Sequence, residues 1–162
     1  MKLLMVCLGN ICRSPMAEGA LRARIDASPL AGRVTVDSAG TGGWHAGQAP
    51  DPRAIACAAG HGVDIAGLRA RQLQAADFQR FDRVFCADAT NLRDAGRLAG
   101  PAGQDRLALW LPWAGIQASP SIPDPYTGGA ADFEHVWALV DAAARASVAR
   151  LLHDADSGII GA

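Results

Sequence analysis

The sequence predicts an α/β protein: a three-layer α/β/α sandwich around a four-stranded parallel sheet. Three observations point to it. Strand-like apolar runs alternate with helix-like segments along all 162 residues. The first run, KLLMVC at 2–7, is continuously apolar, as in a central strand covered on both faces. The last segment carries Phe133, Trp137, Val140, Ala144, Val148 and Leu151 at steps of three and four, the pattern of an amphipathic helix laid on a sheet.

The elements follow in order. After KLLMVC, the stretch SPMAEGALRARI predicts a helix with Ser14 as N-cap and Pro15 in the first helical position. RVTVDSAG (33–40) alternates as a second strand. A glycine- and proline-rich loop spans 41–53, and 51–62 reads as a short helix, capped by Asp51 and ended by glycine. FDRVFCAD (81–88) is a third strand, 89–100 a helix, and RLALWL (106–111) a fourth strand. The loop at 112–129 is long enough to suggest function. From about Asp154 to Ala162 the tail is expected to fray. No repeat or linker divides the chain, so residues 1–162 are expected to form one domain. The arrangement is doubly wound and flavodoxin-like, a class whose ligands bind at the carboxyl ends of the strands.

Composition excludes several classes. Half the residues are hydrophobic, 19% are charged and the net charge is −1. Nucleic-acid binding needs clustered Lys and Arg, which are absent, so no nucleic-acid partner is expected. No apolar stretch approaches the roughly 20 residues of a membrane helix. The start, MKLLMVCLGN, is too briefly apolar for a signal peptide, and the protein is expected to be cytoplasmic. Four cysteines are too sparse for a disulfide scaffold. Oligomeric state is not legible.

The chemistry concentrates in CLGNICRS (7–14). Cys7 ends the first strand, and the loop after it leads into a helix whose first amides point back. Such a curled chain makes an anion nest, and the same field favours a thiolate. Arg13 supplies a planar cation able to hold two oxygens of a tetrahedral oxyanion. Gly9 and Asn10 tolerate the positive φ of a tight loop. Ser14 can also donate a hydrogen bond to the sulfur. A thiolate in a phosphate-shaped cradle suits nucleophilic phosphoryl transfer. Zinc is a poor fit: the C-x4-C pair Cys7/Cys12 lacks partners at suitable spacing among His45, His61, His135 and His153, and no metal or cofactor is expected. The loop is not a Walker A, lacking its Gly-Lys-Ser/Thr ending.

VCLGNICRSPMAEG resembles the signature of the low-molecular-weight protein tyrosine phosphatases. DSAGT at 37–41, NLRD at 91–94 and DPYTGG at 124–129 extend the resemblance over almost the full chain. It implies Cys7 as nucleophile through a phosphocysteine, Arg13 as phosphate clamp, and the loop Leu8, Gly9, Asn10, Ile11, Cys12 and Ser14 around the phosphate. Inorganic phosphate and other oxyanions are expected there, and a phosphotyrosine protein as substrate. Asp124, stiffened by Pro123 and Pro125, is the candidate general acid for the leaving phenolate. The resemblance also implies Ser38 as a partner of Asn10, with His61 either in the same network or a surface histidine in a Gly-His-Gly turn. Trp44 and Tyr126 are candidate pocket walls. Asp88 is either a loop-ordering partner of a cation or an exposed strand-end carboxylate. Cys12 is either a trap for oxidised Cys7 or a small apolar filler, the former making the enzyme redox-sensitive. Cys57, Cys86, Trp110, Trp113 and Trp137 read as packing residues. Where many relatives carry a second tyrosine after Asp-Pro, Thr127 stands, so control by phosphorylation of a second tyrosine is unavailable, while Tyr126 remains a candidate target.

Three other readings compete. Arsenate reductases of this fold carry extra cysteines after the third strand; 87–100 has none. Arginine phosphatases resemble the loop with threonine in place of Ile11. A non-catalytic phosphate-binding or thiol redox-sensor protein would not need nucleophile, clamp and acid together.

Overall fold

KLLMVC forms β1 (Lys2–Cys7), whose last five residues are buried. The computed structural model describes residues 1–158. Then come α1 (Arg13–Asp26), β2 (Thr35–Gly40), α2 (Pro52–Gly60), α3 (Asp77–Arg80), β3 (Arg83–Cys86), α4 (Ala89–Gly103), a 3₁₀ turn at Gln104–Arg106, β4 (Leu107–Leu109), α5 (Trp110–Trp113) and α6 (Ala130–Asp156). The four strands pair in parallel in the order β2-β1-β3-β4. The chain therefore leaves β1 toward β2 and returns past it to β3. Their carboxyl ends frame a switch-point crevice, where such sheets take ligands.

The pleat splits β1 between two cores. Leu3, Met5 and Cys7 pack with α1, α2, α5 and α6, including Met16, Leu21, Trp110, Phe133 and Val140. Leu4 and Val6 face the other side with Val84, Cys86, Phe78 and Ala95. This explains the uninterrupted apolar run: both faces of the strand are covered. Each fully buried leucine of β1 contributes about 1.5–3 kcal/mol.

Several boundaries depart from expectation. Ser14 is not the N-cap of α1; Cys12 occupies that position without a side-chain cap bond, and the Ser14 hydroxyl serves Asn10 and Cys7 instead. The predicted fourth strand stops at Leu109. Trp110 turns into α5 because its indole nitrogen donates to Ser147 Oγ in α6 at 3.0 Å, which draws the chain off the sheet edge. The second strand starts two residues later than predicted, and the third is shorter by two residues at each end. α4 runs on past Gly100, whose φ of 62° breaks the helix before Pro101 restarts it. α3 was not foreseen. Asp51 caps α2 as expected, accepting from the Arg53 amide at 2.8 Å, with Pro52 first in the helix. The expected fraying does not reach Asp154–Asp156, which are helical; residues 159–162 lie outside the described residues.

Candidate active site

The loop after β1 is built around one strained residue. Asn10, at φ 57°, is the sole non-glycine residue with positive φ among the described residues. Its side chain holds that conformation from three directions. Nδ2 donates to Ser14 Oγ at 2.8 Å and to Ser38 Oγ at 3.0 Å, while Oδ1 accepts from the Arg71 amide at 3.0 Å. Ser38 in turn donates to Glu18 Oε2 at 2.5 Å. Glu18 also pairs with Arg22, and burial raises its carboxyl above the usual range against the pull of Ser38 and Arg22. A connected chain of polar groups thus runs from Glu18 to Ser14, whose Oγ lies 3.0 Å from Cys7 Sγ.

Close packing on β2 fixes the loop from the other side. A Cβ on Gly40 would stand 2.7 Å from the Leu8 carbonyl oxygen and 3.0 Å from the Asn10 nitrogen, so no side chain fits there. The Thr41 amide donates to Cys7 O and the Gly42 amide to Leu8 O, each at 2.9 Å.

Arg13 opens α1 and is buried. Its Nη1 donates to Asp88 Oδ2 at 2.6 Å and to the Ile122 carbonyl at 3.1 Å. Asp88 also caps α4, accepting from the Asn91 amide at 2.7 Å. One carboxylate therefore sets both the arginine and the next helix. Of the two readings of Asp88, the structure places the cation partner. Asp124 Oδ2 lies 3.7 Å from Arg13 Nη2, and its Oδ1 accepts from the Tyr126 amide at 3.1 Å.

The acid loop is anchored through Arg53. Its guanidinium donates to Asp51 and to the carbonyls of Gly128 and Tyr126, at 3.0 and 2.9 Å for the two carbonyls. It also lies 4.6 Å from the centre of the Phe133 ring. The Asp51 amide donates to the Ile11 carbonyl at 2.8 Å, so the N-terminal end of α2 clasps thiol loop and acid loop together.

These elements enclose a pocket of about 440 Å³, lined by Cys7, Leu8, Gly9, Ile11, Cys12, Arg13, Trp44, His45, Asp124 and Tyr126. Trp44 and Tyr126 stand exposed on its rim. Asn10 and Ser14, grouped with the pocket residues in the sequence, are buried behind it instead. Cys12 is buried beside it, its thiol pushed up to about 12, chiefly by burial and then by Asp51 and Cys7.

His61 is a correction. It does not join Asn10 and Ser38. It follows the C-terminal end of α2, about 13 Å along the axis from the end that meets the thiol loop. There its ring stacks on Trp137 at 5.1 Å and its Nε2 meets Glu134 Oε2 at 2.7 Å. The Arg71 backbone and Glu18 occupy the place expected for it. Sequence reasoning also passed over Arg53 and His45. His45 was legible as a loop histidine beside Trp44. Glu18, Arg53 and Arg71 carry no local signal, since the contacts that shape the site, to Ser38, to Tyr126 and Gly128, and to Asn10, join residues distant in sequence.

A thiol, a buried guanidinium and a carboxylate around one pocket, at the carboxyl edge of a flavodoxin-like sheet, define an oxyanion-binding thiol site. The comparisons with known proteins agree. Residues 2–157 match the family model described as low molecular weight phosphotyrosine protein phosphatase. A low molecular weight protein-tyrosine-phosphatase of Streptomyces coelicolor is 46% identical over 142 residues, 85% of each chain. The low molecular weight phosphotyrosine protein phosphatase of Schizosaccharomyces pombe is 41% identical over 82% of this chain and 85% of its own. Among solved structures, the protein tyrosine phosphatase of Entamoeba histolytica with Hepes in its active site superposes with TM-score 0.91 at 30% identity, covering 96% of this chain and 99% of its own. Wzb of Vibrio vulnificus in complex with benzylphosphonate superposes with TM-score 0.81 at 30% identity, over 92% and 97%. The chain belongs to the low molecular weight phosphotyrosine protein phosphatase family. It is accordingly a protein-tyrosine phosphatase, a hydrolase of phosphoric monoesters.

Proposed function

We propose that this chain hydrolyses phosphotyrosine on protein substrates with Cys7 as nucleophile, Arg13 as phosphate clamp and Asp124 as general acid and base. The observation that supports it is the convergence of these three side chains on one pocket at the switch point of the sheet. Asp88 and the Ile122 carbonyl hold Arg13 by Nη1, leaving Nε and Nη2 for two phosphate oxygens.

The Cys7 thiolate attacks phosphorus as the bond to the phenolic oxygen breaks. Protonated Asp124 delivers its proton to that oxygen, and tyrosine leaves. Water then attacks the phosphocysteine, Asp124 takes its proton, the phosphorus–sulfur bond breaks, and phosphate departs. The loop amides and Arg13 stabilise the charge that spreads over the equatorial oxygens. The Ser14 hydroxyl, 3.0 Å from the sulfur, stabilises the thiolate as leaving group. The tyrosine ring is gripped between Trp44 and Tyr126, with Leu8 and Ile11 below. Action in the cytoplasm is part of this reading; all four cysteines are free, and no helix of the described residues is long and apolar enough to cross a membrane.

Hydrolysis of para-nitrophenyl phosphate tests the mechanism. We expect turnover inhibited by vanadate and lost in Cys7→Ser. Turnover that survives in that variant rules the mechanism out. Phosphotyrosine, phosphoarginine and arsenate assayed side by side fix the substrate class, with phosphotyrosine preferred.

A further inference from the structure

At the far end of α2 from the thiol loop, three side chains of different chemistry meet. Cys57, on the last full turn of α2, and His61, four residues on, project to one side of the helix. Glu134, in the first turns of α6, comes up between them. Cys57 Sγ lies 3.4 Å from Glu134 Oε1, and His61 Nε2 lies 2.7 Å from Glu134 Oε2. One ligand atom from each lies within 4.8 Å of the other two, the one such trio found among the described residues.

The geometry points to a binding site for a borderline-soft divalent transition metal, Zn²⁺ or Co²⁺, held by Cys57 Sγ, His61 Nε2 and a Glu134 carboxylate oxygen. Tetrahedral coordination with metal–ligand distances of ~2.0–2.3 Å sets the ligand atoms about 3.5 Å apart. The cluster is near that spacing already, so small rotations of Glu134 and His61 complete it. The ligand set is one thiolate, one imidazole and one carboxylate, which suits these metals and disfavours Mg²⁺ and Ca²⁺. Three protein ligands leave a fourth position for water.

Three further features support the site. The imidazole lies nearly parallel to the Trp137 indole, at 11°, which fixes its plane and aims Nε2 at the cluster. The entry path is open, since the His61 and Glu134 side chains are 41% and 56% exposed. Cys57 is buried while His61 and Glu134 are exposed, so packing fixes the first ligand and leaves the other two free to close on an ion. Binding converts the thiol to a metal thiolate and releases its proton to solvent; no electron is transferred. The ion joins α2 to α6.

Anaerobic titration of the full chain with Co²⁺ tests this. Cys7→Ser and Cys12→Ser are introduced first, so that the pocket thiols give no signal. We expect a thiolate-to-cobalt charge-transfer band that saturates at one equivalent, disappears on further Cys57→Ser, and is competed away by Zn²⁺. His61→Ala and Glu134→Gln alter exposed side chains and leave the fold intact; each is expected to weaken binding by ~10-fold or more, at least the loss seen when an outer-shell partner is removed. Zn²⁺ is expected to raise the melting temperature of the chain with Cys57 and not of the Cys57→Ser variant. Absence of the band at one equivalent, its persistence without Cys57, or affinity unchanged in both His61→Ala and Glu134→Gln would overturn the assignment.

Discussion

Asp124 is the most exposed of the proposed catalytic side chains, and its role is testable by leaving-group chemistry. Asp124→Asn keeps its shape and removes its proton. Hydrolysis of substrates with poor leaving groups is expected to slow by about 10²–10⁴-fold, and para-nitrophenyl phosphate by much less. Equal slowing of both would show that Asp124 is not the proton donor. Cys7, Arg13 and Asp124 were legible in the sequence because each sits in a motif whose neighbours explain it, a strand end, a helix start and a Pro-Asp-Pro turn, while Ser38 was legible only through the family resemblance. Glu18 and Arg71 were not legible. Glu18 reads as an ordinary helical glutamate, and becomes a buried terminus of the Asn10 network through contact with a strand 20 residues on. Arg71 acts through its backbone amide, which no residue type announces. His61 failed for the opposite reason. Its place in the sequence resembled the family's, and the course of α2 carried it to Glu134.

α2 is the element on which the acid loop depends. Arg53→Met keeps much of the packing on Phe133 and deletes the bonds to Tyr126 O and Gly128 O. It is expected to lower kcat for poor leaving groups with little change in melting temperature. A fall for all substrates alike would mean that Arg53 serves the thiol loop instead. The Asp51–Arg53 pair also sets a pH dependence. Arg53 holds the Asp51 carboxyl below its ordinary 3.8. Its stabilisation is therefore complete above that value and lost as pH falls through the lower folded one. Glu18 has the opposite sign, since burial raises it above 4.5; its contribution is present below 4.5 and lost as pH rises through the folded value. Thermal melts from about pH 5 down to pH 2 should fall less steeply in Asp51→Asn than in the parent. Parallel curves would remove the pair from acid stability. Element types were legible for all four strands and the long helices, because periodicity and burial on two faces leave strong patterns. The boundary between β4 and α5 was not. RLALWL is apolar throughout, and the indole bond to Ser147 that turns Trp110 off the sheet joins residues 37 apart.

Over the whole molecule all four thiols are buried, and three of them are held in the protonated form. Cys12, Cys57 and Cys86 are pushed up to about 12, each chiefly by burial. Iodoacetate near neutral pH should therefore modify one thiol per chain, Cys7, with protection by vanadate. Mass spectrometry of the digest reads the site, and comparable labelling of Cys57 or Cys86 would contradict the burial. The sheet order sets where function can lie. β1 is central, so the thiol loop opens between β2 and β3, against which α2 and the loop before α6 close. Gly40 marks how tightly: with the Leu8 oxygen 2.7 Å from where an added methyl group would sit, Gly40→Ala must displace backbone. It is expected to cost on the order of 1–3 kcal/mol by overpacking, read from urea denaturation, and to impair turnover through Asn10.

Trp44 gives this molecule a built-in optical reporter. Of its four indoles, Trp110 and Trp137 are buried at 1% and 5% exposure, while Trp44 stands 63% exposed at the rim of the pocket. Red-edge excitation selects the water-facing ring, and its emission should shift to the blue when an aromatic phosphoester settles beside it. Occupancy of the site can then be followed in real time, without a label, in a catalytically silent Cys7→Ser chain.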